Sequence, residues 1–271
     1  MTRKLGCCTW IFGDASLEDI ARRVKAAGLD GVELHGDIHT LAPQKAREIL
    51  AAHGLEIFSI TPADADISHP DATKRKSALD YYDRLMDWAK QLGTPLISCH
   101  GQVKRIKPVT TQVEENALLV EAVKVICSSA KKRDLNVVFE ILNRYETHQI
   151  RTVQEGLALL NSVGASNLKL LPDAYHMNIE EADPPAALRK GGSTIGLYHA
   201  ADSNREGIGL GHTDFAAQIS ALDDIFYTGP IILEVNAPGP NPFTPEKADG
   251  FRDVVTSHLQ TSVSALRALG T

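Results

Sequence analysis

Eight short runs of apolar and β-branched residues recur along this 271-residue chain, beginning at Leu5, Gly31, Ile57, Pro95, Asn136, Leu168, Ile195 and Pro230. Longer amphipathic stretches follow them, over 17–27, 43–53, 71–92, 113–132, 152–163, 180–190, 214–222 and 245–269. A period that switches between near-continuous apolarity and helical spacing is the pattern of βα units feeding a parallel sheet. Eight units at about 34 residues each leave room for a strand, a helix and two short loops. No Pro/Gly/Ser-rich linker breaks the series. The expectation is therefore one domain over residues 1–271, a (β/α)8 barrel. The alternative, an open doubly wound sheet, lacks its glycine-rich turn: CCTWIFGDAS stands after the first run instead of GxGxxG. Helix starts are marked by Ser16 and by Thr213 before Asp214.

Charge and cysteine content narrow the partners. With 28 Lys and Arg against 34 Asp and Glu, the formal charge is −6, which opposes nucleic acid as a partner because phosphate binding needs concentrated cations. Arg3 and Lys4 before LGCCTWIFG imitate the start of a signal peptide, but the run stops at Asp14 and reads better as a buried first strand. Nothing approaches the roughly 18 apolar residues of a membrane span. Cys7, Cys8, Cys99 and Cys127 are too sparse for a disulfide scaffold. A cytoplasmic protein with no membrane partner is expected.

Parallel strands are buried on both faces, so an ionisable residue inside one needs a partner, a metal or a solvated end. Glu140 interrupts VVF-IL, Asp173 follows LKLLP, His199 follows IGLY and Glu234 follows PIIL. They lie 33, 26 and 35 residues apart, each step about one βα unit. At one depth on strands five to eight of a barrel they converge on the C-terminal mouth, where such enzymes keep their active sites. Three carboxylates and one imidazole make a hard site suited to Mn²⁺, Mg²⁺ or Co²⁺. Without a cation the carboxylates would repel one another.

The segments FEILNRYE, PDAYHMNIEE, YHAADSNREGIGLGHTDF and ILEVN together resemble the xylose-isomerase-like barrel superfamily, and within it the tagatose/psicose (ketose) 3-epimerase group. The resemblance is specific over about residues 130–240. It implies a metal-dependent sugar epimerase or isomerase, with Glu140, Asp173, His199 and Glu234 as metal ligands and Mn²⁺ as the expected ion. It also implies that Glu140 and Glu234 form the acid/base pair, and that Glu146, His176 and Arg205 bind the O1 and O2 end of a keto-sugar. A homodimer or homotetramer is implied as well.

Three segments depart from the 3-epimerase pattern. SCHGQVKRIKP has no aromatic residue after the fourth strand, VNAPGPNPF follows Glu234, and GHTDF replaces a Trp-bearing segment. The pattern of Gly209, Gly211, Asp214 and Phe215 looks more like relatives acting on keto-glycosides or other small keto-sugars. Other readings on the same scaffold are an inosose-type dehydratase, an apurinic endonuclease, which the charge opposes, and a non-catalytic sugar-binding barrel. In the first half, Trp10, Glu33, His35 and His100 fall at predicted strand ends and could line the mouth, with His35 and His100 carried as substrate contacts. Strand alternation puts Glu33 and His35 on one face. Lys104, Arg105 and Lys107 could meet a phosphorylated substrate or form a solvated loop.

Overall fold

The computed structural model describes residues 2–237 and 247–271. Eight parallel strands lie side by side in the order β6-β5-β4-β3-β2-β1-β8-β7: β1 (Leu5–Cys8), β2 (Gly31–His35), β3 (Glu56–Thr61), β4 (Leu96–Cys99), β5 (Asn136–Ile141), β6 (Leu168–Pro172), β7 (Tyr198–Ala200) and β8 (Ile231–Leu233). The ring closes between β6 and β7 through two isolated parallel bridges, Leu170 with Ile195 and Asp173 with His199. The expected (β/α)8 barrel is thus the fold, and its seam runs through two of the four residues singled out as ligands.

Helices wrap the strands: α1 (Leu17–Ala26), α2 (Pro43–Ala52), α3 (Ala72–Leu92), α4 (Gln112–Lys131), α5 (Val153–Val163), α6 (Ala174–Glu180), α7 (Pro184–Gly191), α8 (Phe215–Asp224) and α9 (Phe251–Ala268). Ser16 caps α1 as expected, its hydroxyl accepting from the Asp19 N–H at 3.2 Å. Apolar side chains fill both faces of the sheet, in one cluster around Leu5, Tyr198, Ile232 and Leu259 and another around Ile60, Ile97, Leu85 and Phe139. Among the described residues no helix is long and apolar enough to cross a membrane.

The differences from the sequence expectation have local causes. The first strand ends at Cys8, and Thr9–Phe12 turn into a 3-10 helix that carries Trp10. The sixth strand stops at Pro172 instead of running on to His176, because the Asp173 carboxylate accepts the Tyr175 N–H at 2.6 Å and caps α6. The expected helix 180–190 is the shorter α7, which Pro184 starts at the position where its missing N–H does no harm. Asp214, not Thr213, caps α8, accepting from Ala217 at 2.9 Å. The expected last helix begins at Pro245, outside the described residues. Glu140 and His199 lie on strands, whereas Asp173 and Glu234 sit one residue past them.

Candidate active site and metal centre

At the C-terminal mouth a cavity of about 630 Å³ is lined by Glu140, Glu234, Glu146, His176, Arg205 and residues of the first half including Trp10, His35 and His100. Below it, Glu140, Asp173, His199 and Glu234 each offer one ligand atom, all within 4.8 Å of one another, and all four residues are buried. His199 Nδ1 lies 3.3 Å from Glu234, 3.6 Å from Glu140 and 3.9 Å from Asp173. The carboxylate of Asp173 is divided: Oδ1 caps α6, while buried Oδ2 has no hydrogen-bond partner among the described residues. An orphaned buried carboxylate oxygen beside two further acids fits a divalent cation. Burial raises Glu140 and Asp173 above the ordinary carboxylate range, with the Glu234 charge adding to both. Burial would raise Glu234 too, but Arg205 and then His199 outweigh it and hold Glu234 at about 2.

A second group of three, Cys8 with His199 and Glu234, also comes within ligand distance; burial and then the Glu33 charge raise the Cys8 thiol, which donates to Glu33 Oε1 at 3.6 Å.

Arg205 crosses the site. It donates to Glu146 at 3.1 Å, lies 3.2 Å from Glu234, and rests over the rings of Tyr175 at 4.8 Å and Trp10 at 5.7 Å. Its backbone occupies the left-handed region at φ +62°, a conformation that a non-glycine residue keeps only where its surroundings hold it. Trp10 Nε1–H donates to Glu234 at 3.1 Å. His176 is fully buried on α6, not at a strand end, and burial pushes it down to about 3 despite Asp173. It is therefore neutral. Asn143 lies 2.7 Å from His176 Nδ1 and donates to Glu146 at 3.3 Å. With Nδ1 taken by an amide donor, the imidazole proton sits on Nε2, which has no partner.

The first-half candidates divide. His35 and His100 line the cavity. Glu33 does not; it lies beneath, fully buried, with Oε1 3.1 Å from His199 Nε2. Lys104 reaches the cavity, but Arg105 turns away and pairs with Asp66 at 2.9 Å and with buried Glu115. That ion-pair network removes Arg105 from the cations open to a phosphate. Gly209, Gly211, Asp214 and Phe215 do not line the cavity either. Their loop wraps buried Asp202, which accepts from the N–H groups of Ser203 at 2.7 Å, Gly209 at 2.8 Å and Thr213 at 3.0 Å. A Cβ at Gly211 would come 2.3 Å from Asp202 Oδ1, so the second glycine of the pattern is required by that close approach. Sequence reasoning missed Asn143 and Tyr175, although both lie inside the quoted words LNRYE and DAYH; neutral side chains give no periodicity or charge signal.

The model of the family described as xylose isomerase-like TIM barrel matches residues 21–254. A ketose 3-epimerase of Arthrobacter globiformis is 30% identical over 85% of this chain and 83% of its own. A 3-dehydro-D-guloside 4-epimerase of Escherichia coli K12 is 24% identical over 92% of this chain and 97% of its own. A crystal structure of D-psicose 3-epimerase with D-tagatose, from Clostridium cellulolyticum H10, superposes with a TM-score of 0.88 at 23% identity, covering 98% of this chain and 99% of that one. By these matches the chain belongs to the xylose isomerase-like TIM barrel family and is an enzyme of the isomerase class.

Proposed function

We propose that the protein is a divalent-metal-dependent ketose 3-epimerase, working as a single cytoplasmic barrel domain in a homodimer or homotetramer. The observation that carries the proposal is the buried set Glu140, Asp173, His199 and Glu234 at the floor of the cavity, with Asp173 Oδ2 unpartnered. These four would hold the cation, Mn²⁺ first and Mg²⁺ or Co²⁺ as alternatives. When bound, such an ion stabilises the negative charge that develops on adjacent sugar oxygens as the proton leaves the neighbouring carbon.

The chain's own groups supply the rest. Epimerisation moves a proton off one face of a carbon and returns one to the other, so it needs two bases. Glu140, from β5, and Glu234, after β8, both reach the cavity. Burial raises the first while Arg205 holds the second down, and this separation suits one acid and one base. Which of them starts depends on the configuration of the substrate. His176 Nε2–H, Arg205 and Glu146 would hydrogen-bond the O1 and O2 end of the sugar, and His35 and His100 would meet its far end.

A second reading, epimerisation of a keto-glycoside, is supported by the match along nearly the whole length of both chains to the 3-dehydro-D-guloside 4-epimerase and by the absence of an aromatic residue in the segment after β4. Incubation of the Mn²⁺-loaded protein with ketoses and keto-glycosides in D₂O, followed by NMR, decides. Deuterium beside the carbonyl together with the epimer, without loss of water, is expected, and the better substrate selects between the two readings. A dehydrated product would move the assignment to an inosose-type dehydratase, and no exchange with any sugar would overturn proton-transfer catalysis.

A further inference from the structure

Glu33 is a fully buried carboxylate with no Lys or Arg among its partners, an expensive arrangement unless every neighbour donates to it. Three neighbours do, and a fourth is placed to. Ser59 donates to Oε2, Thr61 to Oε1, and the protonated Cys8 thiol lies 3.6 Å from Oε1. The fourth neighbour is His199 Nε2, within ion-pair distance of Oε1 at 3.1 Å but not aligned as a hydrogen bond. The sheet is adjusted to build this nest. In the pairing of β2 with β3 the register shifts between Val32 and Glu33, so that Val32 faces Ile57 but Glu33 faces Ser59. The shift sets Ser59 opposite Glu33, and the twofold alternation of a strand then puts Thr61 on the same face. Irregularities of this kind re-aim side chains next to active sites.

We infer that Glu33 is the positioning residue of the metal centre: by accepting the Nε2 proton of His199 it fixes the ring's orientation and leaves Nδ1, which faces Glu140, Asp173 and Glu234, as the ligand nitrogen. An imidazole can bind a metal only through a nitrogen free of its proton, and the partner of the other nitrogen decides which one that is. Removing the carboxylate leaves an N–H and two hydroxyls in a dry interior with no acceptor, and the ring loses its reason to hold one orientation. The inference rests on the reading of the site as a metal centre, and Glu33 itself does not touch the cavity.

The test is titration calorimetry with Mn²⁺ alone on wild type and Glu33→Gln, which keeps the shape and removes the charge. Expected is a 10- to 100-fold weaker Mn²⁺ affinity, with the circular dichroism of the metal-free protein unchanged. In Mg²⁺-loaded protein carrying ¹⁵N-labelled imidazoles, the His199 Nε2–H should be downfield and slow to exchange in wild type, and should move upfield and exchange faster in the variant. Affinity within twofold of wild type and an unmoved Nε2–H signal would overturn the role of Glu33. If Glu33→Gln does not fold, Ser59→Ala removes one hydroxyl that holds Glu33: an affinity loss of threefold or more supports the inference, and an unchanged affinity overturns it. Wild type that binds no Mn²⁺ would sink the metal reading itself, and this inference with it.

Discussion

The two halves of the barrel mouth bring different sets of side chains to one cavity. Strands β5 to β8 and their loops supply Glu140, Asp173, His199, Glu234, Glu146 and Arg205, all charged or ready to bind a cation. Strands β1 to β4 and their loops supply Trp10, Thr61, His35 and His100 as walls, with Asp14, Asp64 and Lys104 also on the lining, and Glu33 lies beneath the cavity. The difference shows how a site crowded with acids is made tolerable. The buried acids are gathered on one side, where Arg205 lies among them, while Glu33 on the other side is surrounded by the neutral hydroxyls of Ser59 and Thr61. The two sides also fasten their loops differently: Arg105 ties the loops after β3 and β4 to Glu115 and Asp66, whereas the loop after β7 is wound around Asp202 by backbone N–H groups.

The largest expected effect breaks the chemical half. Glu234→Gln should lower kcat by about 10²- to 10⁴-fold while far-UV circular dichroism stays that of wild type; near-normal turnover would remove Glu234 from the proton transfer. The anchoring of the other half comes next. Arg105→Met leaves Glu115 and Asp66 without their guanidinium and should cost about 3–5 kcal/mol in urea unfolding, and a loss below 1 kcal/mol would show that the network is not what holds these loops. Asn143→Ala frees His176 Nδ1 to take the proton, so kcat should fall roughly tenfold, about the cost of one hydrogen bond; a change confined to KM would return Asn143 to a purely structural role.

A pH profile separates the two kinds of loop anchor. Burial would raise Asp202, but the N–H groups of Thr213, Ser203, Gly211 and Gly209 outweigh it and hold it below its ordinary value. A carboxyl lowered in the folded state contributes stability that is present above its unfolded pKa of about 4 and lost as pH falls through the folded value. Asp202→Asn should therefore cost about 1–2 kcal/mol at neutral pH and flatten the decline below pH 4; an acid limb as steep as that of wild type would refute this. The smallest effect is expected from the walls. His35→Ala should raise KM about two- to fivefold with kcat kept, and a large loss of kcat would mean that the first half joins in the chemistry.

Much of this molecule was legible before folding was considered. Strand and helix periods gave all eight units, and the four polar residues at the strand ends gave the cluster, because an ionisable group in a buried parallel strand stands out against its apolar neighbours. Less legible was anything that depends on a partner chosen across the barrel. Glu33 read as either a mouth residue or a partner behind the site, since alternation gives its face but not its depth. Arg105 read as a cation for a phosphorylated substrate or as part of a solvated loop, since neither its pairing with Asp66 of another unit nor that with Glu115 shows as a local pattern. His176 read as the end of a strand, because only the capping geometry of Asp173 shows where α6 begins.

The sequence by itself determined the eight βα units, their closing into one ring and the depth at which three acids and an imidazole meet, because these follow from local period and from the spacing of unit to unit. Only the tertiary structure decided that the seam of the barrel passes through Asp173 and His199, that Asp173 serves a helix with one oxygen and the site with the other, and that a register shift places Ser59 opposite Glu33 under the His199 ring. Those are matters of register and hydrogen-bond direction between strands distant in sequence, and a single residue of slip turns every side chain of a strand to its other face.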